Sequence, residues 1–171
     1  MKKRGIIVIL FIIIAGGCSK PDYETEDPFI ITTHTPAGPD HYRNMYSRNV
    51  AIYDHGKLVV YTEPSKNITI GDDAPVLEAE LDQVEVEEVK RLLEINKFWK
   101  FKDDVTDHSS VDGSFYSITV NQKHGSKKAS GLNPIDEKFN EIVDYVFDLA
   151  NGEDYAAWKE EIEDYILEMN P

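Results

Sequence analysis

The chain has 171 residues, with 18 Lys and Arg against 32 Asp and Glu, for a net charge of −14. A surface of that sign repels nucleic-acid phosphates and anionic headgroups, which excludes a polyanion-binding role. One cysteine is present, so no disulfide forms within the chain; nine Tyr, seven Phe and two Trp supply material for a hydrophobic core of one-domain size.

The N-terminus is built in three parts. Lys2, Lys3 and Arg4 are basic, Ile6 to Ile14 form an apolar run of nine residues, and Ala15, Gly16 and Gly17 lead directly into Cys18. A basic end, a short apolar stretch and small residues at a cut describe a secretory signal. The run is too short for a transmembrane helix, which needs about 20 apolar residues. The stretch IAGGCSK resembles the lipobox of bacterial lipoproteins, with Ala15 where that class usually carries leucine. The resemblance implies that residues 1–17 are removed as a signal peptide. It also implies that Cys18 takes a diacylglyceryl group and becomes the first mature residue. The expected address is the outer face of the cytoplasmic membrane, a Gram-positive arrangement being favoured, and Ser19 is compatible with an outer membrane. Loss of Lys2, Lys3 and Arg4, with no acid removed, leaves 15 bases against 32 acids, a net of −17.

Residues 18–28 read as the lipidated cysteine followed by an acidic tether, with Asp22, Glu24, Glu26 and Asp27 between Pro21 and Pro28. A single domain then covers 29–171. FIITTHT at 29–35 is rich in β-branched residues and predicts a strand. After the loop PAGPDHYRNMYSRN, two β-rich runs flank His55-Gly56, predicting a hairpin whose turn uses a positive φ at Gly56. PVLEAELD alternates Leu77, Ala79 and Leu81 with Glu78, Glu80 and Asp82, as an edge strand or extended lead-in would. Asp82 and Glu85 form the pattern of a capping box, and Val86, Val89, Leu92, Leu93 and Asn96 fall on one helical face behind it.

Phe98, Trp99 and Phe101 follow that helix into the core. SFYSITVNQ predicts a strand with Tyr116, Ile118 and Val120 on one side, and KHGS turns it into KKASGL as a second hairpin. Asn133-Pro134 has the form of a helix start, Asn capping and Pro at the first position. Phe139, Ile142, Val143, Val146, Leu149 and Ala150 make that helix's apolar face, and Asn151-Gly152 ends it. A last helix carries Tyr155, Trp158, Ile162, Tyr165, Ile166 and Met169 on one side. Hairpins alternating with helices predict an α+β fold: an antiparallel sheet of about four to five strands built from two β-hairpins, with two to three helices on one face. The layout is similar to small bacterial lipoprotein domains. Its element order, together with PAGPDHY, is also similar to emfourin-type metalloprotease inhibitors.

Oxygen-rich side chains gather in DDVTDHSSVDG, where Asp103, Asp104, Asp107, His108 and Asp112 could offer a hard-cation site. The spacing departs from an EF-hand, and turn-capping is the simpler expectation. The five histidines, His34, His41, His55, His108 and His124, make no close pair of the kind zinc sites use. His34, His41 and Asp40 could meet across one loop, while His55 and His124 fall in turns. Gly-x-Ser-x-Gly, Ser-x-x-Lys with its partners and a phosphate-cradling glycine loop are all absent, so neither a catalytic constellation nor a cofactor is expected. From Asp136 to the C-terminus there are 12 acids and two bases. Glu137, Glu141, Asp144 and Asp148 on one helix, and Glu160, Asp164 and Glu168 on the next, form stripes opposite the apolar faces. They could dock a basic protein or peptide, or serve only as a solvated face. The expected function is a membrane-anchored, non-enzymatic binding domain for a protein, a peptide or the cell wall. An inhibitor or regulator of a secreted protease, acting through the loop 36–47 or a hairpin turn, is the alternative, and an envelope hydrolase the third.

Overall fold

The computed structural model describes residues 21–36, 46–64, 68–109 and 112–170. Six strands form one antiparallel sheet: β1 (Ile30–Thr35), β2 (Tyr46–Ile52), β3 (Lys57–Pro64), β4 (Leu77–Glu80), β5 (Phe115–Gln122) and β6 (Gly125–Leu132). Their order across the sheet is β4-β3-β2-β1-β5-β6, so β1 lies between the two hairpins and pairs with both. The fold is α+β, with one strand more than the expected upper count. The addition is β4, whose alternating sequence is also consistent with a lead-in and which pairs with β3 as a short edge strand. In the first hairpin Gly56 adopts φ +101°, and its carbonyl accepts from Leu81, tying the turn to the start of the first helix.

Strand parity sets what the sheet buries. Leu77, Val60, Val50, Thr32, Ile118 and Ala129 are register partners across all six strands. The next row runs through Leu58, Ile52, Ile30 and Val120, which are all fully buried. Three helices cover this face: α1 (Gln83–Ile95), α2 (Glu137–Ala150) and α3 (Glu153–Met169). They share one hydrophobic core with the sheet. The capping box at Asp82 and Glu85 is formed as expected, and Val86, Val89, Leu92 and Leu93 are buried. At the end of α1 the buried Asn96 caps the helix and donates from its side chain to Glu141 on α2, at 2.8 Å. On the sheet's other face the Thr33 hydroxyl donates to Asn49 at 2.7 Å.

The start of α2 differs from expectation. Asn133 is not a cap: it takes a left-handed φ of +45°, and its side chain bridges Asp112 O (2.7 Å) and Ser114 N (2.9 Å). Asp136 caps the helix instead, accepting from the Lys138 and Phe139 amides. An Asn whose amide closes a loop satisfies two backbone groups at once, and the chain then needs three more residues to turn into the helix. α2 buries Phe147 in addition to the expected face, leaving Leu149 partly buried. On α3, Trp158, Ile162 and Ile166 are buried while Met169 is 44% exposed. This helix is clamped by residues 69–75. Trp158 donates to Pro75 O at 3.0 Å, Tyr165 donates to Asp73 at 2.7 Å, and the Asn170 side chain pairs with both backbone groups of Thr69.

Residues 22–28, expected to belong to a tether, pack against the domain. Tyr23 is buried against Phe29, Asp22 O accepts from Lys123 N at 3.0 Å, and Asn121 donates to Pro28 O and Phe29 O. An aromatic residue with a core site outweighs the solvation of four acids around it. The packed structure therefore includes Asp22 and Tyr23 as well as the residues from Phe29 onward. Cys18 and the signal region lie outside the described residues.

Candidate functional site

The acidic loop is an edge of the sheet rather than a converging cage. Residues 103–107 run alongside β6, parallel to it, with Val105 N to Ser130 O at 3.0 Å, Ser130 N to Asp103 O at 2.9 Å and Asp107 N to Leu132 O at 2.9 Å. Asp103 pairs with Lys127 at 3.0 Å. Asp104 and Asp107 accept from Thr106 and Ser109, and those hydrogen bonds hold both carboxyls below their usual range. Asp112 accepts from the Gly113 amide, and exposed His108 stands 3.9 Å from Asp104. Among the described residues no group of three or more His, Cys, Asp and Glu is arranged to hold a metal ion.

The acid stripes on the helices are placed as the periodicity predicts. Glu137, Glu141, Asp144, Asp148, Glu160, Asp164 and Glu168 are all exposed, although Glu141 is engaged by Asn96. Like charges at i,i+4 destabilise a helix by a few tenths of a kcal/mol each and are screened by salt. The melting temperature should therefore rise between low salt and about 0.5 M NaCl. A flat or falling curve would show that the stripes carry no net strain.

A different group of residues forms a polar concavity. It lies where the strands extend past the aliphatic rows of the core. His34 and Arg48 are register partners on β1 and β2, in phase with Thr32, Ile30, Val50 and Ile52, so strand parity turns both toward the helices. Tyr46 and Pro36 flank them, and α3 contributes Tyr155, Lys159 and Glu163, enclosing a cavity of about 250 Å³. The His34 ring stacks on Tyr116 at 4.6 Å and meets the edge of Phe147 at 6.1 Å. The Arg48 guanidinium carbon sits 4.2 Å from the Phe147 ring centre and 5.1 Å from that of Tyr155, within cation–π range of both. One Arg48 amino nitrogen donates to the Tyr155 hydroxyl.

Among the described residues, the buried nitrogens Arg48 Nε and His34 Nε2 have no hydrogen-bond partner here. Among the described residues no carboxylate forms an ion pair with Arg48; Glu163 lines the cavity and lies 3.9 Å from Lys159. Burial, with Arg48 adding to it, lowers the His34 pKa to about 4, so the imidazole is neutral at pH 7. Burial and Glu163 raise Tyr46 to about 12. With Arg48 and Lys159 set against Glu163, the cavity carries one positive charge on a protein of net −14. An imidazole this weakly basic is a poor proton acceptor at pH 7. The arrangement sets a guanidinium beside a neutral imidazole in a cavity of net positive charge.

His34 was legible as a candidate only through His41 and Asp40, which lie outside the described residues, as do residues 37–45 of the loop proposed to contact a protease. Arg48 had no motif. The signal that could have found it is parity: an Arg and a His in step with the buried aliphatics of two paired strands. Exposed His55 and His124 lie in the turn regions, as expected. No protein-family model and no curated protein matches this chain.

Proposed function

We propose that this chain is a lipid-anchored domain that works on the outer face of a membrane by binding rather than by catalysis. The observation that carries the reading is IAGGCSK, a lone cysteine behind a basic end and a nine-residue apolar run. The early start of the folded domain gives it a geometric consequence. Four peptide units separate Cys18 from Asp22, a reach of about 14 Å at most. The end of the sheet that carries Asp22 and the turn at Lys123 would then stand close to the bilayer. The His34–Arg48 end lies level with Tyr116, seven residues along β5 from Lys123 and about 23 Å from that turn, where a binding site is accessible. The exposed acids of α2 and α3 suit a basic partner or the cell wall as a second contact.

The anchor is tested by Cys18→Ala. The native protein should sediment with membranes, and the variant, made with a cleavable secretory signal in place of residues 1–17, should move almost wholly to the soluble fraction, since a body of charge −17 has no other attraction to an anionic bilayer. A variant that sediments as before would refute the anchored reading.

A further inference from the structure

We propose that the cavity bounded by His34, Tyr46, Arg48, Tyr155 and Lys159 is a ligand site for a carboxylate carried on an apolar body, with Arg48 as its anchor. The inference names a ligand class for the binding domain proposed above and rests on that reading. It does not depend on the lipid.

Three observations select this chemistry. First, Arg48 Nε is buried without a partner among the described residues. A buried donor left unmade costs about 1–3 kcal/mol, more when charged, and the guanidinium fork matches a carboxylate with two parallel hydrogen bonds. Second, the net positive charge inside the cavity is single, and Glu163 lines its wall. Exposed Glu160, Glu161 and Asp164 stand on the same helix. That field tolerates a monoanion and repels a phosphate dianion. Third, the walls are aromatic. Tyr46, Tyr155 and Pro36 line the cavity beside the guanidinium, and about 250 Å³ is room for a small side chain or acyl stub. His34, neutral at pH 7, adds a polar nitrogen without a second charge.

The test uses the full chain in a neutral maltoside detergent, titrated calorimetrically with hexanoate, N-acetylleucine, methyl hexanoate and inorganic phosphate. Both carboxylates should bind with a Kd on the order of 1 mM or tighter. The methyl ester and phosphate should each bind at least about tenfold more weakly. Tighter binding of N-acetylleucine assigns the site to peptide C-termini, and tighter binding of hexanoate to free acids. Arg48→Met, which keeps the stem over Phe147, should lose about tenfold or more in affinity for either acid.

A second readout needs no variant. Saturation with carboxylate should raise the apparent pKa of His34, followed by imidazole NMR, from about 4, because a negative group then faces it. Absence of heat and of a His34 shift at about 10 mM acid, equal binding of phosphate, or unchanged affinity in folded Arg48→Met would each overturn the proposal. Because the protein is already in detergent, those results leave the Cys18 fractionation result standing or falling separately.

Discussion

Gly131→Ala should cost about 3 kcal/mol or more of folding stability and open residues 103–109 to proteolysis. A Cβ at this position would lie 2.5 Å from Thr106 N, 2.6 Å from Val105 C and 2.9 Å from Thr106 Cα. All three are backbone atoms, so no side chain can swing away, and the segment itself must leave the edge of β6. It takes with it the bonds of Val105, Ser130 and Asp107 and the Leu132 amide's bond to the Thr106 hydroxyl, each worth about 1 kcal/mol net. Gly152→Ala is the matched control, because nothing lies within 4 Å of its Cβ and its extended backbone suits any residue. Urea midpoints for the two variants separate the effects. A Gly131 variant as stable as Gly152→Ala would show that the acidic segment does not depend on close packing against β6.

That segment shows where the sequence stops being informative. Strands and helices announce themselves by period, and here the hairpin at His55-Gly56, the capping box at Asp82 and the buried face of α1 are readable residue by residue. Residues 103–107 have no period. Their pairing depends on Gly131, 25 residues beyond Thr106, offering an edge without a side chain, and on Asp and Thr groups that close local turns. Read alone, the same acids suggest a cation loop. Docked on β6 they are edge protection: the sheet's outer strand is covered, as an exposed edge would otherwise pair with another chain. Asn133 illustrates the same limit at one position. Its neighbour Pro134 makes a helix start plausible, yet the side chain closes the 112–114 loop and Asp136 takes over as cap.

The N-terminal segment is a competition of terms. Composition assigns 19–28 to solvent because four acids outnumber its apolar residues, but a single Tyr23 placed against Phe29 gains about 2 kcal/mol from burial. Short-range composition cannot reveal that a site for this ring exists. The candidate pocket was hidden for a related reason. Arg48 and His34 are separated by 14 positions and become neighbours only through the β1–β2 register. Their chemistry is visible in the alternation of each strand, where a charged and an ionisable residue occupy positions that the pattern reserves for the core.

Acidification should destabilise the protein through His34 by about 2 kcal/mol between pH 6.5 and pH 4, and His34→Gln should remove that component. In the folded state the imidazole's pKa is about 4, against an ordinary 6.5 when the chain is unfolded, chiefly through burial and secondarily through Arg48. Between those values the unfolded chain binds a proton that the folded chain refuses, so stability increases with pH across the window and levels off above it. Equivalently, the contribution is fully present above pH 6.5 and is lost as the pH falls toward 4. The full separation converts to about 3 kcal/mol, and solvent screening at a partly open pocket leaves about 2.

The groups facing the ring are Arg48 from β2, Tyr116 from β5, Phe147 from α2, and Tyr46 with Tyr155, Lys159 and Glu163 around the cavity. Glu163 is retained in the variant, so comparison of wild type with His34→Gln by urea denaturation at pH 7, 6, 5 and 4.5 isolates the histidine. The two stability curves should converge by an amount that grows as the pH falls. Parallel curves would mean that the ring is solvated and able to charge freely, and a pocket that open could not hold Arg48 Nε away from water. The same dehydration that keeps His34 neutral is what would make one buried guanidinium an effective anchor for a carboxylate, so acid sensitivity and ligand recognition have a single physical origin.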